Sequence, residues 1–237
     1  MTDPTAPGPL AATAALMADP ARARMLAALM GGEALTAGEL ARIAGVVPAT
    51  ASGHLARLAE GGLIAVHAQG RHRYHHLASE EVAAVIETLG GLAARIASPR
   101  PWKHGDAARQ SRLCWNHLAG RLGVSLHQRL TGAGWLTPVP GGWDASAEGR
   151  ARLTATGVDL DQALRAPRFA CDCMDWSERR PHLAGGLGKE IASAWLARGW
   201  LRRLPAAGEG DVLARRRIAV TPDGARGLRE GLGLDAA

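Results

Sequence analysis

The sequence predicts a mainly α chain with small β hairpins. Two observations carry this. Residues Thr36 to His76 read in the order helix, tight turn, helix, short hairpin. After residue 101 the chain repeats itself at a spacing of 65 residues, and each copy reads as helix and hairpin.

In chain order, Leu10, Ala14 and Met17 share one helical face. Asp19-Pro20 stops that helix and starts another, since Asp caps and Pro suits a first helical position. Met25, Leu26, Leu29 and Met30 form the next apolar face, and Gly31-Gly32 ends it. Thr36-Ala37-Gly38-Glu39 is a capping box opening a third helix with Leu40 and Ile43 inward; Gly45 closes it. Pro48 suits the first turn of the next helix, Ala49 to Glu60, with Leu55 and Leu58 inward. Leu63 to Val66 has strand character, Gln69-Gly70 is a turn, and Arg71 to His76 returns. Ser79 caps a last helix whose face is Val82, Val85, Ile86, Leu89, Leu92 and Ile96.

This order is that of a winged helix-turn-helix, which lays one helix in the DNA major groove. On the second helix of the pair Pro48, Thr50, Ser52, Gly53, His54 and Arg57 are expected to face the groove. Gln69, Arg71 and Arg73 are expected to reach phosphate or the minor groove from the wing. A winged helix used only for protein contact is the alternative.

Residues 10–97, roughly two-fifths of the chain, resemble the ArsR/SmtB-type repressors. The resemblance rests on Asp19-Pro20-Ala21-Arg22, Leu40-Ala41, Pro48 through Leu58, Gly62-Leu63-Ile64 and Gly70-Arg71-His72-Arg73-Tyr74. It implies a homodimer formed by the first and last helices of the module. It also implies a palindromic duplex operator with half-sites about 10 bp, or a multiple, apart. Metal-sensing members carry Cys-x-Cys before the recognition helix or Asp and His ligands on the last helix. Here those places read Glu39-Leu40-Ala41-Arg42 and Glu80 to Val85, so neither ligand set transfers. His67, His72, His75 and His76 are expected to be solvated on the wing.

The charge of the chain supports this only weakly. The net charge is +6, yet residues 1–98 hold seven arginines against eight acids, so the basic excess lies beyond the module. The N-terminus lacks a basic, continuously apolar leader, and no run of about 18 uncharged apolar residues occurs. Three cysteines, an odd number, fit a reducing compartment. A cytoplasmic protein without a membrane span is expected. No phosphate-binding glycine loop, His-Glu-x-x-His or Gly-x-Ser-x-Gly is found, so an enzyme is not expected.

Ser98-Pro99-Arg100-Pro101 reads as a linker. Beyond it His117-Leu118-Ala119-Gly120 recurs as His182-Leu183-Ala184-Gly185, and Gly134-Trp135-Leu136 as Gly199-Trp200-Leu201, both 65 on. Leu153 to Gly157 matches Val220 to Gly224, 67 on. The expected organisation is a winged helix-turn-helix over 1–98, then two degenerate tandem winged-helix-like repeats over 99–165 and 166–237. Each repeat is expected to begin with a helix at His-Leu-Ala-Gly. Arg215-Arg216-Arg217 is expected on a solvated hairpin.

All three cysteines and all seven tryptophans lie in this C-terminal part. Cys114 and His117, at i, i+3, would share a helix face. With Cys171 and Cys173 they form a candidate thiol site for a soft metal ion or arsenite, or a redox switch. Plain buried cysteines are the alternative. Trp115, Trp135, Trp176 and Trp200 are core anchors, or they line a pocket for an apolar small molecule. A small effector held among residues 114–200 would then change operator affinity.

Overall fold

The computed structural model describes residues 7–70, 72–96, 105–205 and 213–235. They fall into two compact units: the described residues of Met1–Ile86 and Ala207–Arg215, and those of Glu87–Ala206 and Arg216–Ala237. The proposed linker at 98–101 lies outside the described residues, as does Arg71.

The first unit runs α1 (Pro7–Ala18), α2 (Pro20–Leu29), β1 (Leu35–Thr36), α3 (Ala37–Ala44), α4 (Pro48–Glu60), β2 (Ile64–Gln69) and β3 (His72–Leu77). The helix α5 (Glu80–Ile96) follows. The local signals act as read. Asp19 Oδ1 accepts the Ala21 and Arg22 N–H groups at 2.9 and 3.0 Å, with Pro20 in the first turn. The Thr36 and Glu39 capping box closes in both directions. Gly45 takes a left-handed φ of 71°, which turns the chain from α3 toward α4. Met25, Leu29, Leu40, Ala51, Leu55 and Leu58 fill the space between the three helices.

The strands form an antiparallel sheet in the order β1, β3, β2, with Gln69 opposite His72 and Gly70 at φ 57° in the turn. Of the wing histidines, His67, His72 and His76 are exposed. His75 is buried instead, its Nδ1–H donating to Leu35 O at 3.2 Å. The added strand β1 pairs with β3 and covers that side of the hairpin. On α5, Val85, Leu89, Leu92 and Ile96 remain 50, 50, 43 and 77% exposed, an apolar stripe at helical spacing.

The second unit runs α6 (Gly105–Gln110), β4 (Arg112–Cys114), β5 (His117–Ala119), α7 (Gly120–Gly132), β6 (Leu136–Val139), β7 (Gly142–Ala145) and α8 (Ala147–Ala155). It continues with α9 (Leu160–Leu164), β8 (Cys171–Met174), β9 (Pro181–Ala184), α10 (Gly185–Ala197), β10 (Leu201–Arg203), β11 (Ile218–Val220) and α11 (Pro222–Leu232). Both halves therefore have the order hairpin, helix, hairpin, helix. One core, including Leu118, Leu126, Leu130, Trp135, Leu183, Leu187, Ile191, Trp195 and Leu228, serves both.

His-Leu-Ala is a strand, not the start of a helix. It pairs with the strand before it, and the helix begins only at Gly120 or Gly185, whose φ of 76° or 80° makes the corner. The match of Leu153–Gly157 to Val220–Gly224 is out of step. Thr221 caps α11 by accepting Gly224 N–H, as Ser146 caps α8 by accepting Gly149 N–H. Both caps hang from a tryptophan carbonyl, Ser146 N–H on Trp135 O and Thr221 N–H on Trp200 O. The arginine run is not solvated: Arg215 pairs with Glu33 and Glu39 at 2.8 and 3.0 Å, and buried Arg216 donates to Leu113 O at 2.8 Å.

Candidate DNA-binding surface and a buried cysteine and histidine cluster

Helix α4 is two-faced. Ala51, Leu55 and Leu58 face the core, while Pro48, Thr50, Ser52, Gly53 and Arg57 are exposed. No side chain caps its N-terminus, so the first N–H groups point outward beside small residues. Ser52 Oγ donates to Pro48 O at 3.0 Å. At the wing Gln69 and Arg73 are exposed. His54 departs from expectation. It is half-buried, with Nδ1 3.4 Å from Arg22 Nη1 and 3.9 Å from Asp19 Oδ1. The same Arg22 donates to Leu16 O and Ala15 O, so His54 helps seat α4 on the N-terminal helices rather than facing a groove.

The expected thiol residues lie in the second unit. Cys114 and His117 face each other across the two-residue turn of β4 and β5, a cross-strand pair rather than neighbours on a helix. Cys173 and His182 face each other in the same way across β8 and β9. The ligand atoms of Cys114, His117, Cys173 and His182 all lie within 4.8 Å of one another. His117 Nε2 is 3.2 Å from His182 Nε2. Cys171 lies outside this group, and His182, which the sequence reading omitted, belongs to it. The signal for His182 was present: it stands 65 residues after His117, in register with the repeat.

The hairpins approach because glycine lies beneath each histidine. A Cβ on Gly123 would sit 3.4 Å from His182 Cβ, and one on Gly188 would sit 3.2 Å from His117 Cβ. The cluster is buried apart from Cys173, which is partly exposed. Its thiol neighbour and then burial push the Cys114 thiol up to about 12. Burial, then the charges of His182 and Arg216, hold His117 well below the usual imidazole value, so it is neutral at pH 7. Glu87 of α5 borders the group, with Oε2 3.8 Å from Cys173 Sγ and Oε1 4.0 Å from His117 Nε2. Burial, followed by Cys114, raises its carboxyl to about 10.

Behind His182 stands Asp175. Burial alone would raise its carboxyl, but the Arg112 charge, His182 and hydrogen bonds from Gly120 and Ser177 outweigh this and keep it ionised. Fully buried Arg112 donates to both Asp175 oxygens at 2.9 Å, and its guanidinium lies 4.5 Å from the Trp176 ring. His182 Nδ1 is 3.4 Å from Asp175 Oδ2, an ion-pair distance short of a well-formed hydrogen bond.

The four tryptophans have different surroundings. Trp135 is buried in the core, with the Arg129 and Arg152 guanidiniums 4.8 and 5.3 Å from its ring. Trp200 packs on Trp195 at 6.1 Å. Trp115 forms the β4–β5 turn at φ 59°, and Trp176 lies under Arg112.

With this geometry, comparison with known proteins decides the family. Residues 17–67 match the model of a helix-turn-helix domain. Over 199 residues the chain is 38% identical to the HTH-type transcriptional regulator YdfF of Bacillus subtilis (strain 168), covering 83% of this chain and 88% of that one. The chain belongs to the helix-turn-helix transcriptional regulators. A second relative of this regulator is the HTH-type transcriptional regulator YgaV of Escherichia coli (strain K12). It is 37% identical over 73 residues, which are 31% of this chain and 74% of YgaV. Among solved structures, HlyU from Vibrio cholerae N16961 is 28% identical and matches 38% of the regulator and 97% of its own chain, with a TM-score of 0.35. The similarity to YdfF reaches far beyond the helix-turn-helix, so the second unit belongs to that likeness too. Among the described residues no helix is long and apolar enough to cross a membrane.

Proposed function

We propose that the regulator is a homodimeric repressor that docks α4 in successive major grooves of a palindromic operator. The observation that carries this is the exposed face of α4, with uncapped N–H groups, small polar residues at its start and Arg57 one turn further on. N–H groups at a helix N-terminus take phosphate, small residues admit the bases, and a guanidinium reaches a base edge or phosphate. Arg73 and Gln69 on the wing supply backbone contacts. The α5 stripe of Val85, Leu89, Leu92 and Ile96 supports the dimer.

The second unit is read as the sensory half. Its two halves are diverged copies of one winged-helix-like unit. This reading is supported by the shared element order and by the pairs His117 and His182, Gly120 and Gly185, and Trp135 and Trp200, each 65 apart. Its effector site is the cluster at Cys114, His117 and Cys173, where ligand chemistry is concentrated. Fluorescence anisotropy with duplex DNA from upstream of the protein's own coding sequence tests the reading. Specific binding that weakens steeply with salt, and weakens further in Arg57→Ala, is expected.

A further inference from the structure

We infer that Cys114, His117, Cys173 and His182 form a closed, four-ligand site for one divalent ion of zinc type, which pins the β4–β5 hairpin to the β8–β9 hairpin. The tautomers lead to this. His117 Nδ1 lies 3.2 Å from Asn116 Oδ1, which only accepts, so the ring proton sits on Nδ1. His182 Nδ1 faces the ionised Asp175 carboxylate, also only an acceptor. The two Nε2 atoms, each on the side of its ring away from that acceptor, then face each other at 3.2 Å. That arrangement suits a shared cation. Two imidazoles on a tetrahedral zinc, with Zn–N of about 2.0–2.1 Å, stand about 3.3–3.4 Å apart.

The thiols complete the set. All four donor atoms lie within 4.8 Å, and a shift of about an ångström brings the sulfurs to the ~2.3 Å bonds of zinc. Two thiolates, two neutral imidazoles and a divalent ion sum to zero charge, which suits a buried place. Binding releases both thiol protons. Asn116 and Asp175 orient the rings from outside, as second-shell oxygens do around zinc histidines. Two sulfurs and two nitrogens do not make the three-thiolate cup that arsenite requires, since Cys171 stands apart.

This inference deepens the reading of the second unit as sensory but does not need it, because its readout involves no DNA. The full chain, purified in chelator and reductant, is titrated with Co2+ and then Zn2+. One Co2+ per chain is expected, with the visible bands of a tetrahedral ion and a thiolate charge-transfer band, both displaced by Zn2+. Cys173→Ser should halve the charge-transfer band, and Cys171→Ser should leave it unchanged. Asn116→Ala, in the β4–β5 turn, should fold normally and lose about 10–100-fold in metal affinity. Absence of stoichiometric uptake by the reduced, folded chain would overturn the site. So would Cys171→Ser losing as much as Cys173→Ser, or octahedral Co2+ spectra. Metal uptake that leaves operator affinity unchanged supports the site as a structural clasp and removes it as the effector site.

Discussion

At the scale of residues, glycine decides whether the cluster exists. Gly188 lies against the Leu183 carbonyl, where a Cβ would come to 2.5 Å, with His117 Cβ close behind. Gly188→Ala should therefore lower stability by about 1–3 kcal/mol through overpacking, seen as a lower urea midpoint at unchanged m value. His75 makes the first unit sensitive to acid. Burial, ahead of the nearby Arg73 and His76 charges, lowers its pKa below the ordinary 6.5. The unfolded chain then binds the proton more readily, so stability is complete above about pH 6.5 and declines as pH falls below it. Melting of the chain between pH 7.5 and 5 should show this fall, and His75→Gln should make it shallower.

At the scale of elements, the sequence revealed most where the signals were local. Asp19-Pro20, Thr36 to Glu39 and Gly45 each act on backbone within four residues, so α2, α3 and the turn into α4 were readable. Thr36→Ala breaks the capping box and should cost about 1 kcal/mol, measured by chemical denaturation. The second unit was harder to read because its strands are only three or four residues long. A run such as His117–Ala119 is too short to show alternation, and its pairing depends on Arg112–Cys114 across a turn. The site was half legible for a related reason. The 65-residue register links His117 to His182, but it would carry Cys114 to Arg179. The second hairpin has a longer loop than the first, so its cysteine falls nine residues before the histidine instead of three. His54 was misplaced because nothing in its own helix reveals Arg22 as a partner 32 residues away.

At the scale of the molecule, one chain carries a helix-turn-helix unit and a second unit with its own core. In the proposed homodimer the exposed α5 stripe is the dimer face. Leu89→Glu should convert the dimer to monomer in analytical ultracentrifugation and reduce operator affinity at least tenfold, without loss of helicity. A monomer engages only one half-site. The proposed contact of α4 with DNA is open to direct measurement. Binding of the wild-type chain and Arg57→Ala to the upstream duplex and to a scrambled duplex is compared by anisotropy at several salt concentrations. If α4 reads DNA, the upstream duplex binds more tightly, the salt slope is steep and Arg57→Ala loses about 1–3 kcal/mol. Equal binding of both duplexes, or an Arg57→Ala chain indistinguishable from wild type, would contradict it.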